Sequence, residues 1–179
     1  MPADVSEYLR SELSAKLIIA QSRDVFLARY GHLFEHSSWV VERAWSAAPF
    51  ANAQALHMAF LCVLNNASKE ERIALIQAHP QLADKAAIEH GLTASSAAEQ
   101  ASAGLDRLSD AEYESFRNLN AAYRQRFGFP FIICVRLHNR ISILAELERR
   151  LSNDPGEELH EALLQIGLIS KLRLADLAP

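Results

Sequence analysis

Glycine and proline are scarce, six of each in 179 residues, and cysteine occurs only twice. So few chain breakers exclude a collagen-like repeat, a low-complexity linker or a turn-rich β-sandwich. Two cysteines cannot make a disulfide framework, and Cys62 and Cys134 both lie in apolar runs, where buried inert thiols are expected. Runs of like charge are also missing. With 18 basic against 22 acidic side chains and a net charge of -4, no clustered basic footprint exists for nucleic acid or an anionic membrane. No apolar run approaches the roughly 18 residues of a membrane span. The opening Met1-Pro-Ala-Asp-Val-Ser-Glu7 has an acid before any base and no signal-peptide core, which points to the cytosol.

Half of the residues are apolar, and Ala, Leu, Glu, Gln and Arg dominate. Apolar positions recur at intervals of three and four, the period of a helix with one buried face. Three segments carry start signals: Ser68-Lys-Glu-Glu71, Ser109-Asp-Ala-Glu112 and Asp154-Pro-Gly-Glu157. Each sets a capping oxygen three residues ahead of an acid able to reach back to it. Gly31, Pro49, Pro80, Gly91, Gly104 and Gly128 fall at helical limits, giving an all-α bundle of about eight helices. No composition shift divides residues 1–179, which read as a single domain. A chain of this length can bury roughly 70% of its unfolded surface, so its core needs no metal staple. The one extended candidate is Phe129-Pro-Phe-Ile-Ile-Cys-Val135, where proline and β-branched residues disfavour helix. Buried without a partner strand, it must find other partners for its N–H and C=O groups, and amides facing a pocket would be one use for it.

Glu157-x-x-His160 has the form used in di-iron bundles, and His32 and His36 lie one turn apart. A di-iron site requires a second Glu-x-x-His and two more glutamates, and no second copy exists, so no metal ligand is assigned. Gln77-Ala-His-Pro80 differs, because proline restrains His79 to extended geometry at a helix end. A histidine there could merely interact with the carbonyl terminus. Beyond Gly91, Ser96-Ala-Ala-Glu-Gln100 is open to two readings. Ser96 and Glu99 could form another capping box, with Thr93 and Ser95 competing for the cap. Alternatively Ser96, Glu99 and Gln100, at i, i+3 and i+4, share one face and present hydroxyl, carboxyl and amide to a small polar ligand.

Several blocks then occur together and in order: Phe34-Glu-His-Ser-Ser-Trp39, Leu75-Ile-Gln-Ala-His-Pro80, Leu92-Thr-Ala-Ser-Ser-Ala-Ala-Glu-Gln100, Leu119-Asn-x-x-Tyr123 and Phe127-Gly-Phe-Pro-Phe-Ile132. From about Phe26 to Leu177 the chain resembles the 2-oxo-4-hydroxy-4-carboxy-5-ureidoimidazoline (OHCU) decarboxylases. The resemblance implies an all-α bundle, usually a homodimer, and a carboxy-lyase acting at the last step from urate to (S)-allantoin. It implies His79 as the catalytic histidine and Glu99 as its partner carboxylate. Substrate contacts are implied for Pro80, Ser96, Gln100, the main chain of Phe131, Ile132, Ile133, Cys134 and Val135, and Arg173 near the C-terminus. Many relatives carry an acid where this chain has Ser95, so Ser96 is chosen by its register with Glu99. The resemblance also implies that no cofactor is used, since the substrate ring carries its own electron sink. The rival class is a catalytically silent helical binding module, in which His79, Ser96 and Glu99 only cap and pack.

Overall fold

The computed structural model describes residues 22–84 and 92–177. The described residues contain eight α-helices and no β-strand. They are α1 (Arg23–Tyr30), α2 (Trp39–Ala44), α3 (Ala53–Asn66), α4 (Lys69–Gln77), α5 (Ala94–Ser102), α6 (Asp110–Phe127), α7 (Arg140–Arg150) and α8 (Pro155–Asp176), with three short 3-10 turns at Gly31–Leu33, Trp45–Ala47 and Val135–Leu137. The all-α expectation holds. The stop expected at Gly91 lies outside the described residues.

Local chemistry sets the starts of these helices. The Ser68 hydroxyl accepts from the Glu71 N–H at 3.2 Å while the Glu71 carboxylate accepts from the Ser68 N–H at 2.9 Å. Ser109 and Glu112 form the same reciprocal pair ahead of α6. At α8 the Asp154 carboxylate takes the Gly156 N–H at 2.8 Å and Glu157 reaches back to the Asp154 N–H at 3.3 Å. Each satisfies donors that a helix start leaves without an intrahelical partner. Glu157 is thereby the acid of its box, as its spacing suggested. At the far end of α6, Gly128 adopts φ 78°, a left-handed cap that side chains with a Cβ rarely enter, and its N–H donates to the Arg124 carbonyl at 2.9 Å.

The chain divides into two compact units, Met1–Leu75 with Leu163–Pro179, and Ile76–Ala162. In the first, α2 packs on α3, and Phe26 collects Tyr30, Trp45 and Phe50 at ring-centroid distances of 5.0, 5.0 and 5.8 Å. Phe34 meets Phe60 edge to face at 5.4 Å. Aromatic pairs at these separations add to the hydrophobic gain of burial. Phe60 and Leu64 of α3 are buried, whereas Cys62 is exposed, its sulfur accepting from the Asn66 amide at 3.4 Å. The expectation of a buried thiol fails there because Cys62, two residues from each of them, falls on the opposite side of a 3.6-residue helix. Cys134 is buried as expected.

In the second unit α6 packs on α7, and Tyr123 is surrounded by Phe127, Phe129 and Phe131 at 4.7, 6.1 and 5.3 Å. Three aromatic rings thus meet one phenol at separations that add to the gain of burial.

A histidine buried in the first unit makes its stability depend on pH. His57 on α3 donates from Nε2 to the Gly167 carbonyl of α8 at 2.9 Å, and the Ser170 hydroxyl donates to that same carbonyl at 2.9 Å. Burial, helped by nearby Lys171 and opposed by the Gly167 carbonyl, lowers the His57 pKa to about 4. Between the unfolded value near 6.5 and about 4, the unfolded chain binds a proton that the native chain refuses. The contribution is therefore complete above pH 6.5 and is lost as the pH falls to about 4, a loss of about 3 kcal/mol. Denaturant unfolding across that range should show this slope in the native chain and a flatter one in His57→Gln, whose amide can still donate to Gly167. Equal slopes would show that His57 is not the group responsible.

Candidate active site

The segment around His79 is held on both sides by side chains of the second unit. His79 follows the C-terminus of α4, is 8% exposed, and donates its main-chain N–H to the Ile76 carbonyl at 3.1 Å. Two residues before it, the Gln77 amide donates to the Gly128 carbonyl at 3.0 Å. After it, the Asn120 amide of α6 donates to the Leu82 carbonyl at 2.9 Å. The Ala83 N–H donates to Gln100 Oε1 of α5 at 3.2 Å. Ala83 sits at φ 55°, in a region costing an L-residue with a Cβ about 1–2 kcal/mol, so its backbone is held there by its surroundings. Thus α4, α5, α6 and the segment opened by Gly128 all converge on the stretch that carries His79 and Pro80.

The structure decides which residue caps α5. Thr93 is the N-cap of α5, accepting from the Ser96 N–H at 3.3 Å, so Ser96 lies inside the helix and its capping box with Glu99 does not form. Thr93, with an extended backbone, takes the cap because its hydroxyl reaches the Ser96 N–H three residues on. Ser96 and Gln100, one turn apart, are both buried, and Glu99 beside them is half-buried. This is the inward face that the i, i+3, i+4 spacing suggested. On the same helix the Gln100 carbonyl oxygen is engaged by the Ala83 N–H.

α5 also packs against the 3-10 turn Val135–Leu137, which continues the segment expected to be extended. From Pro130 to Cys134 that segment is neither helix nor strand, and Val135 enters the turn rather than staying extended. Phe131, Ile132, Ile133, Cys134 and Val135 are all buried. Their backbone needs partners, and one comes from an arginine that the sequence reading did not single out. Arg150, at the end of α7, donates from Nη1 to the Ile132 carbonyl at 2.7 Å, and its guanidinium lies 4.6 Å from the centre of the Phe131 ring.

Two further donors of Arg150 go to Glu158 in the first turn of α8, Nε at 2.9 Å and Nη2 at 2.5 Å, with both side chains at most 1% exposed. Tyr123 also donates to Glu158 Oε1, and the Asn153 amide donates to Oε2 at 2.7 Å. Burial pushes the Tyr123 hydroxyl well above its ordinary pKa, so it stays a donor. Tyr123 belonged to a recognised block, but Arg150 and Glu158, eight residues apart on different helices, carried no local signal.

Arg173 belongs to the first unit. It is 6% exposed, and its Nη1 lies 3.4 Å from the Leu33 carbonyl and 3.3 Å from the carboxylate of Glu35, itself 2% exposed. Among the described residues, no three His, Cys, Asp or Glu side chains gather as a metal site would require. No helix of the described residues is long and apolar enough to cross a membrane.

The family model described as OHCU decarboxylase matches residues 20–175. The chain is 40% identical over 165 residues to the 2-oxo-4-hydroxy-4-carboxy-5-ureidoimidazoline decarboxylase of Haloferax volcanii, covering 92% of this chain and 96% of the relative. It is 36% identical over 152 residues to the mouse (Mus musculus) protein of the same name, covering 85% of each. Among solved structures it is similar to an (S)-allantoin synthase, with a TM-score of 0.69 and 28% identity, covering 97% of this chain but 53% of that one. The chain thus spans about half the length of that synthase. The fold is also that of an OHCU decarboxylase crystallised in the presence of (S)-allantoin, at a TM-score of 0.65, covering 79% of this chain and 92% of that one.

The tie between Gln100 and Ala83 can be tested by itself. Gln100→Leu keeps the bulk and leaves a buried N–H unsatisfied, so unfolding should be easier by about 1–3 kcal/mol. A denaturation curve matching the native chain would mean that Ala83 has another acceptor.

Proposed function

The chain belongs to the OHCU decarboxylase family, and from that premise we propose that it converts 2-oxo-4-hydroxy-4-carboxy-5-ureidoimidazoline to (S)-allantoin. The observation that carries the reading is local. His79, Ser96 and Gln100 are buried in a unit where Gln100 ties α5 to the residues just after His79. Thr93 already caps α5, so Ser96 is not turned inward as a cap, which supports a role for it in the site.

The reaction breaks the bond from the ring carbon to its carboxylate, releasing CO2. The electron pair forms a ring C=C with the neighbouring imine carbon as the C=N electrons move to nitrogen, which takes a proton. The enol so formed then becomes a carbonyl as it loses its hydroxyl proton and a proton adds to the former imine carbon, the one that bears the ureido group. The protein must orient the carboxylate across the ring plane, stabilise the enolate-like anion and protonate one face only. His79 and Glu99 are the proposed pair for the proton, with imidazole as the group that exchanges it and the Glu99 side chain as its partner. Ser96 and the NH2 of Gln100 would bind oxygens of the ring or ureido group, with Pro80 beside them. Main-chain N–H groups of Phe131 to Val135 suit the developing negative charge, because donors fixed in a buried segment need little reorganisation.

Arg173 is proposed to contact the substrate carboxylate or ureido oxygen through its planar fork. Arg173→Lys tests this better than truncation, because Lys171 and Leu174 are buried and their loss would disturb packing. The same reading carries a homodimer and a cytosolic location, to be tested by sedimentation equilibrium and cell fractionation.

The decisive assay couples urate, urate oxidase and hydroxyisourate hydrolase with and without this protein. It should make allantoin appear faster and with the S form in excess; an unchanged rate and a racemic product would defeat the reading. His79→Asn and Glu99→Gln should each lower the rate on the order of 10²-fold or more. The double variant should lose far less than the product of the two, as expected of groups acting as a unit. A nearly silent Glu99→Gln would remove Glu99 from the mechanism while leaving the family assignment intact.

A further inference from the structure

We propose that Arg150 is a positioning residue for the reaction, orienting through its bond to the Ile132 carbonyl the peptide group whose N–H belongs to Ile133. The inference rests on the reading above, in which that stretch of main chain contacts the substrate. No strand or helix from Pro130 to Cys134 sets the direction of these peptide groups. In a planar trans peptide the C=O and the following N–H point opposite ways, so fixing the Ile132 carbonyl aims the Ile133 N–H away from Arg150. Arg150 grips two successive residues, the carbonyl of Ile132 at 2.7 Å and the ring of Phe131 at 4.6 Å. A flexible ammonium, which is a point charge, could not do both.

The guanidinium is itself held by a carboxylate with four donors. Glu158 accepts from Nε and Nη2 of Arg150, from the Tyr123 hydroxyl and from Asn153. Stability alone is a poor reason for such a pair. Removing two charges from water costs about as much as their attraction returns, and apolar side chains of similar size often serve as well. What apolar side chains cannot supply is a donor to Ile132. Glu158 is then the residue that fixes the pose of Arg150, and Tyr123, kept protonated by its burial, fixes Glu158.

Removing the two charges singly and together separates positioning from folding. Arg150→Met and Glu158→Leu, each alone, strand one buried charge, and both should melt well below the native chain. Arg150→Met combined with Glu158→Leu removes both charges and should recover most of the melting temperature. Its kcat should nevertheless fall on the order of 10²-fold with a smaller change in KM, because a donor misplaced by about 1 Å is felt mainly in the transition state. Arg150→Lys keeps a positive charge against Glu158 and serves if the double variant does not fold; it should show the same loss of kcat. A folded double variant, or a folded Arg150→Lys, turning over at the native rate overturns the inference. An inactive native chain would instead overturn the reading on which it rests.

Discussion

A buried stretch of apolar backbone with no strand beside it must still satisfy its carbonyls and amides, and in this protein that demand falls on Phe131 to Val135. In a β-protein the neighbouring strand would answer it; here the 3-10 turn takes the Cys134 and Val135 carbonyls, and a side chain takes Ile132. Arg150 answers at Ile132, and because an arginine cannot be buried alone, Glu158 is buried with it, which in turn calls for Tyr123 and Asn153. One unsatisfied carbonyl thus accounts for a network of four side chains drawn from α6, α7, α8 and the α7–α8 connection. The Tyr123 ring that closes the network is also the centre of the aromatic group, so polar and apolar packing of this unit share one residue.

The region of His79 is built on the same logic of single bonds to main chain. Gln77, Asn120 and Gln100 each spend an amide on a backbone group near His79, at Gly128, Leu82 and Ala83. Amides suit this work because they carry donor and acceptor without charge, so burial costs less than for an ion. The left-handed backbone at Ala83 shows that these ties outweigh a local preference, as is common near functional sites.

The first unit handles its buried titratable groups differently. His57 stays neutral because burial resists its proton, and burial likewise lowers the pKa of Lys171. Arg173 keeps its charge and has the Glu35 carboxylate beside it. The carboxylate restrains the guanidinium and offsets its buried charge.

Much of the architecture was legible from residues within four positions of one another. Helical class, the boxes at Ser68, Ser109 and Asp154, and the left-handed cap at Gly128 depend on bonds that close inside one turn, so spacing alone determines them. The family blocks marked His79, Ser96, Glu99 and Gln100 by their order along the chain. Folding had to decide the rest. Thr93 against Ser96 for one cap was a contest between near-equal hydroxyls, and the outward turn of Cys62 depended on which face of α3 met the core. Most of all, the meeting of Arg150, Glu158 and the Ile132 carbonyl joins positions up to 26 residues apart across three elements. No periodicity records such a contact, because its energy arises only when burial removes the water that each group would otherwise have bound.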